Sequence, residues 1–344
     1  MAQQRTEIAE LGEFGLIDRL HAGIKTTLPD TITGIGDDAA VLDLGEEYGL
    51  LTTDLLLENV HFDLAFYPLK HLGYKAVAVN VSDIAAMNGI PRQITVSLGL
   101  SNRFSVEAIE ELYAGINAAC TDFRVDLVGG DTSASRSGLL ISVSVFGKVS
   151  KEKIAYRHSA KVSDLLCVSG DLGAAYLGLQ VLEREKQVYL ADPSMQPELD
   201  GKEYVIQRQL RPEARMDVVY ELDEAGVVPT AMIDVSDGLA SDLLHLCRRS
   251  EVGAVVFEEN LPIDDQTYLV ATELNIGPIT AAMNGGEDYE LLFTIRQADY
   301  DKIKNSPNIS VIGFITEPAN GVVLHTKGGN RHPITAQGWT PLSS

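Results

Sequence analysis

From Leu72 to Pro91 the chain is almost wholly small or apolar, through Ala76-Val77-Ala78-Val79-Asn80-Val81-Ser82-Asp83-Ile84-Ala85-Ala86-Met87. The valines alone would suit a strand, but about eighteen such residues stopped by Asn88-Gly89 and Pro91 predict a buried helix with a glycine C-cap. Residues 7–22 set Leu11, Phe14, Leu16, Ile17 and Leu20 among polar partners and predict an amphipathic helix packed near the site. Short strands are expected over Ala39–Leu44, Leu50–Asp54 and Arg92–Leu100. Ser105 is placed to cap a helix reaching Phe123, with Val106, Ile109, Leu112, Tyr113, Ile116 and Cys120 on one face. Val125–Val128 reads as a strand ending at Gly129-Gly130-Asp131. Leu139–Val145 alternates Ile141, Val143 and Val145 with Ser142 and Ser144, as a strand with one buried and one polar face does.

A charge shift over Lys148–Lys161 marks a domain boundary, giving an N-terminal domain 1–148 and a C-terminal domain 149–344. Beyond it a strand is expected over Leu165–Val168, a helix over Ala174–Glu185 and a polar loop over 186–204. A strand and helix mixture follows through Leu239–Ser250, Gly253–Phe257, Tyr268–Leu274 and Leu291–Ile295. The fold class is therefore α/β (α+β) in two domains, and 344 residues at 45% hydrophobic content supply two cores.

Charge changes the picture by exclusion. A net charge of −22 leaves no basic footprint for nucleic acid. Cys120, Cys167 and Cys247 are scattered in apolar or helical contexts, which implies neither a disulfide framework nor a zinc site and suits the cytoplasm. No apolar run has membrane-span length, and Met1-Ala2-Gln3-Gln4-Arg5 does not read as a signal peptide.

Asp83 within an apolar helix requires a donor, a cation or a metal, and two readings stand: a hydrogen-bonded structural aspartate, or one wall of a site. The same acid type recurs beside glycine or hydroxyl residues, as Asp37-Asp38 after Gly34-Ile35-Gly36 and Asp54 after Thr52-Thr53. Asp131 follows Gly129-Gly130, Asp234 and Asp237 flank Val235-Ser236, and Glu287-Asp288 follow Gly285-Gly286. Gly34-Ile35-Gly36-Asp37-Asp38-Ala39 fits a loose dinucleotide pattern, but no helix length follows it and two aspartates would repel pyrophosphate. Two like charges about 4 Å apart repel by on the order of 4 kcal/mol at an effective dielectric near 20. Converging acids would thus protonate without divalent ions, and hard oxygen donors beside Thr52 and Thr53 hydroxyls suit Mg²⁺. Spacing alone leaves convergence open. No Walker loop occurs, so a nucleotide would rely on metals, the Gly129-Gly130 amides and cations such as Arg157, Arg211 and Arg215, each of which has a salt-bridged alternative.

Taken together, Gly34–Leu42, Thr52-Thr53-Asp54, Asn59-Val60-His61-Phe62, Ala78–Met87, Gly129-Gly130-Asp131-Thr132, Ile233–Leu239 and Gly285-Gly286-Glu287-Asp288-Tyr289-Glu290-Leu291 resemble the thiamine-monophosphate kinase family. That family sits within the aminoimidazole ribonucleotide synthetase-like superfamily. The resemblance implies a two-domain fold whose N-terminal sheet forms a homodimer and the ATP site. It also implies transfer of the ATP γ-phosphate to thiamine monophosphate, the last step of thiamine diphosphate biosynthesis. Carried onto matching positions, Asp38, Thr52, Thr53, Asp54, Asp83, Asp131, Asp234 and Asp237 are expected to serve several Mg²⁺ ions, with Asp83, Asp131 and Asp237 central to catalysis. Gly130, Asp131, Arg157 and Ser236 are implied as nucleotide contacts, and His61, Glu287 and Trp339 as substrate contacts. Trp339 has a second reading as an anchor for the C-terminal tail. Relatives that use an N-terminal or C-terminal cysteine fit less well, because no cysteine precedes Cys120 and the chain ends Pro341-Leu342-Ser343-Ser344. A nucleotide-binding protein without turnover is the alternative from a different class.

Overall fold

A computed structural model describes residues 6–336. The N-terminal half runs α1 (Ile8–His21), β1 (Thr31–Thr33), β2 (Ala40–Asp43), β3 (Glu47–Leu57), α2 (Leu69–Ala86), β4 (Ile90–Leu100), α3 (Val106–Phe123), β5 (Asp126–Ala134) and β6 (Leu140–Ser150). Its six strands form one sheet in the order β1-β2-β3-β6-β4-β5, antiparallel except for the β4/β5 pair. The C-terminal half continues with β7 (Leu165–Ser169), α4 (Ala174–Ala191), α5 (Glu203–Leu210), α6 (Met216–Glu224), β8 (Ala231–Asp234), α7 (Leu239–Ser250), β9 (Gly253–Phe257) and α8 (Asp265–Glu273). It closes with α9 (Pro278–Asn284), β10 (Leu291–Ile295), α10 (Tyr300–Ile303), β11 (Ile309–Thr316), β12 (Val322–His325) and β13 (Arg331–Pro333). Its seven strands are ordered β13-β12-β9-β11-β7-β10-β8. The fold is thus mixed α/β in two domains, as the patterning predicts. Among the described residues no helix is long and apolar enough to cross a membrane.

α2 is apolar on all sides because it is covered on all sides. It packs on β3, β4 and β6 of the first sheet and on β8 of the second, and one core cluster runs from Leu50 and Val81 through to Met232 and Phe293. Between Leu72 and Met87, Asp83 alone is not buried. The helix ends in a six-to-one and five-to-two pair of bonds, Gly89 N to Ile84 O at 2.9 Å and Asn88 N to Ala85 O at 2.8 Å. Asn88 (φ 55°), rather than the expected glycine, takes the left-handed position. α2 crosses α3 at glycines: a Cβ on Gly73 would lie 2.0 Å from Leu112 O, and one on Gly115 1.9 Å from Lys70 O.

β6 alternates as expected, with Ile141, Val143 and Val145 against the helices. Ser105 caps α3, its Oγ accepting from Ala108 N at 3.2 Å. Three expectations change. β5 does not stop at Gly129-Gly130-Asp131 but runs through them to Ala134, because β4 offers a parallel partner along that whole length. The 186–204 loop shrinks to the stretch between α4 and α5, since α4 continues to Ala191 and α5 starts at Glu203. In α1 Gly12 breaks the helical path (φ 65°, ψ −177°), and Ile17 and Leu20 stay exposed. α1 meets the second domain through Asp18, which lies 3.5 and 3.8 Å from Arg248 and Arg249 of α7.

Candidate active site

The two sheets and α2 enclose a cavity of about 1130 Å³. Asp83 rises from α2 at its floor, Thr52 and Asp54 come from β3, Asp37 and Asp38 from the turn before β2, and Asp234 from the end of β8. Asp38, Asp83 and Asp234 each bring a carboxylate oxygen within 4.8 Å of the others. Hydroxyls from the same elements fix two of them: Thr52 Oγ1 donates to Asp83 Oδ2 at 2.5 Å and Ser82 Oγ to Asp234 Oδ2 at 2.6 Å. Asn80, one turn before Asp83, receives the Asp54 amide at 2.9 Å and ties β3 to α2. Arg157 Nη2 donates to Asp38 Oδ1 at 2.5 Å, and the Arg157 amide lies 3.3 Å from Asp37 Oδ1.

Burial in company raises these carboxyls. Burial, then Asp38, pushes Asp37 up to about 7 against the opposing pull of Arg157. Burial pushes Asp54 up to about 6, and burial with Asp38 pushes Asp234 up to about 7. Asp83 lies well above the ordinary carboxylate range through burial and then Asp54, Asp234 and Asp38. Asp242 on α7, which the sequence reading missed, is raised well above its usual range by burial and then by Asp237. Without a cation, Asp37, Asp54, Asp83 and Asp234 hold protons to higher pH than ordinary carboxylates do. The residues present therefore fit a hard divalent ion.

The other expected site residues divide. Asp237 and Ser236 line the cavity, as do Arg157, His61 and Glu287. Thr53 also borders the cavity, but its side chain turns to the other sheet face, where its Oγ1 donates to Val143 O at 3.1 Å. Asp131 and Gly130 do not join the cluster. They sit on edge strand β5, three strand spacings or roughly 14 Å from β3, with Asp131 exposed opposite Ser97 on that same outward face. Gly130 is required for packing, since a Cβ there would lie 1.8 Å from Val96 O. Arg211 and Arg215 follow their salt-bridged alternative, with Arg211 on Asp122 at 2.9 Å and Arg215 on Glu290 at 2.5 Å. Trp339 lies outside the described residues.

At the far end, His61 Nδ1 accepts from Leu57 N at 3.0 Å, which leaves the ring proton on Nε2, and burial holds the imidazole below its usual pKa. The acids of Gly286-Glu287-Asp288-Tyr289-Glu290 serve three separate ends. Asp288 accepts from the amides of Gly173 and Ala175 at the start of α4, at 2.7 and 3.3 Å. Glu290 is held by Arg208, Arg215 and Ser169. Glu287 alone lines the cavity, receiving Lys75 Nζ at 2.6 Å and Gln209 Nε2 at 2.7 Å. Lys75 is a further residue the sequence reading leaves out, although a lone cation in the apolar run that begins at Leu72 is as much a signal as Asp83.

Residues 36–149 match the family model for the N-terminal domain of AIR synthase related proteins, and residues 161–324 the model for their C-terminal domain. A thiamine-monophosphate kinase from Aquifex aeolicus is 39% identical over 287 residues, 83% of this chain and 87% of its own. One from Bacillus subtilis is 33% identical over 304 residues, 85% and 87% of the two chains. A solved structure described as AaThiL complexed with AMPPCP and TMP superposes with a TM-score of 0.82 at 33% identity, covering 99% of both chains. With both domains matched and relatives at these identities spanning most of its length, the chain belongs to the thiamine-monophosphate kinase family.

Proposed function

We propose that the protein transfers the γ-phosphate of ATP to the phosphate of thiamine monophosphate, giving thiamine diphosphate and ADP, at a carboxylate site that holds Mg²⁺. The convergence of Asp38, Asp83 and Asp234 carries this reading, supported by the family membership and by the relative solved with AMPPCP and TMP. An oxygen of the accepting phosphate attacks the γ-phosphorus as the bond to the ADP oxygen breaks. The acceptor is already ionised, so no protein nucleophile or general base is required. Bound Mg²⁺ supplies charge neutralisation and alignment for the phosphates. Asp38, Asp54, Asp83 and Asp234 would hold it with the Thr52 hydroxyl, while Asp237, Ser236 and Arg157 serve the nucleotide side and His61 and Glu287 the thiamine side. Trp339 belongs to the same proposed substrate end. Given ATP, Mg²⁺ and thiamine monophosphate, the protein should form thiamine diphosphate. Turnover of other phosphate acceptors with none on this one would refute the assignment.

A homodimer completes the reading. The outward face of the first sheet exposes Leu51 and Leu55 and carries the Thr53 side chain, with Asp131 on the same face. A second copy stacked there covers the leucines and brings Thr53 and Asp131 into an interface, where they can serve a composite site. Sedimentation should give twice the chain mass, and Leu51→Glu should shift it to the monomer; a monomer for the unaltered chain contradicts the dimer.

The raised carboxyls predict a pH dependence. Asp37, Asp54 and Asp234 sit at about 7, 6 and 7 in the folded chain against an ordinary 3.8. Folded values above unfolded ones mean that stability present below the unfolded value is lost as pH rises through the folded value. With metal chelated, the melting temperature should therefore fall from about pH 5 to pH 8, and millimolar Mg²⁺ should abolish most of that fall. A profile identical with and without Mg²⁺ would show that the acids hold no ion.

A further inference from the structure

Lys75 is fully buried, a position where an ammonium persists only when paired. Its partner is the Glu287 carboxylate, and the Tyr67 ring lies 5.4 Å from its Nζ. Tyr67 is itself fixed, its hydroxyl donating to the Gln209 carbonyl at 2.7 Å, while the Gln209 side chain holds the other Glu287 oxygen. Glu287 sits on left-handed backbone (φ 67°), as does Tyr289 (φ 52°), in a loop pinned by Glu287 N to Ser236 O at 2.8 Å and Tyr289 N to Val235 O at 2.9 Å. A non-glycine residue keeps that conformation only when its surroundings over-determine it. The side chain of Glu287 remains partly open, at 27% exposure, and faces the cavity.

We infer that Lys75 is a positioning residue for substrate recognition: it holds the Glu287 carboxylate in one orientation toward the acceptor end of the cavity. Lys75 and Asp83 share α2, eight residues or about 12 Å apart along its axis. One rigid helix thus sets the separation between the acid that meets the acceptor's organic part and the acids that meet phosphate. The inference rests on the thiamine-side reading of Glu287. It predicts that Lys75 governs acceptor binding without touching ATP.

The test compares Lys75→Met, Glu287→Gln and the double variant, since Met retains most of the lysine stem's bulk. Lys75→Met should raise KM for thiamine monophosphate about tenfold or more while KM for ATP stays within about threefold, because a charge-assisted hydrogen bond to the acceptor's binding group has been lost. Adding Lys75→Met to Glu287→Gln should raise KM for the acceptor no further, because the lysine acts through the glutamate. If either single variant does not fold with its partner's charge left unpaired, the double variant, which strands no charge, still decides: its KM for thiamine monophosphate should rise about tenfold while its KM for ATP stays within about threefold. A lower melting temperature with an unchanged acceptor KM, or a further tenfold rise in the double variant, overturns the inference. No turnover of thiamine monophosphate by the unaltered protein would instead overturn the functional reading beneath it.

Discussion

Asp83→Asn should abolish most phosphoryl transfer, by on the order of a thousandfold in kcat, and should raise the melting temperature of the metal-free protein above pH 7. Both effects follow from one position. Asp83 is the opening in an otherwise buried helix, within reach of Asp38 and Asp234 and beside Asp54. Asparagine keeps the acceptor for the Thr52 hydroxyl but removes the charge that several neighbours share toward a cation. Without metal the folded state must hold a proton on Asp83 that the unfolded state releases, so removing the carboxylate lifts that burden. The variant should also lose the stabilisation that Mg²⁺ confers. Near-normal turnover at limiting Mg²⁺ would make Asp83 a structural residue.

Gly115→Ala should be among the most destabilising single methyl additions in the chain. The new Cβ would stand 1.9 Å from the Lys70 carbonyl, and Gly73 on the opposite helix is as tightly placed against Leu112. Both partners are helix backbone, so no side chain can swing aside, and α2 and α3 must separate. Overpacking of this kind costs about 3 kcal/mol or more. α2 is also the helix that carries Lys75 and Asp83, so the displacement reaches the site. A misplacement of about 1 Å can lower turnover on the order of a hundredfold. The expected result is a denaturation midpoint shifted well below that of the unaltered protein, with reduced turnover even where the variant is fully folded. An unchanged midpoint would mean that the helices have slack the geometry denies.

What the amino-acid pattern made legible was local. α2 declares itself because it is apolar all round, α3 because Ser105 caps an amphipathic run, and β6 because Ile141, Val143 and Val145 alternate with serines. β5 reads short in the sequence because its glycines look like a turn until β4 supplies a parallel partner. α4 reads short because Glu183-Arg184-Glu185-Lys186-Gln187 interrupt its apolar run before an exposed last turn, and α1 reads as one amphipathic helix although Gly12 breaks it. At the site, aspartates beside glycine and hydroxyl residues single out Asp38, Asp54, Asp83 and Asp234, which line one cavity. Their meeting is a tertiary fact that joins the turn before β2 with β3, α2 and β8. The same local signal could not separate Glu287, which faces the cavity, from Asp288, which caps α4. Nor could it show that Asp131 lies on the opposite sheet face, or that Lys75 meets an acid 212 positions away.

The proposed reaction is direct transfer between two bound phosphates across a carboxylate-held metal site. Following ATP labelled at its γ-phosphorus, in the presence of Mg²⁺ and thiamine monophosphate, tests it most directly. The label should appear in thiamine diphosphate in step with ADP formation, and should vanish from it when Mg²⁺ is chelated or Asp83 is replaced by Asn. Label released only as inorganic phosphate, with thiamine monophosphate left unchanged, would contradict the account.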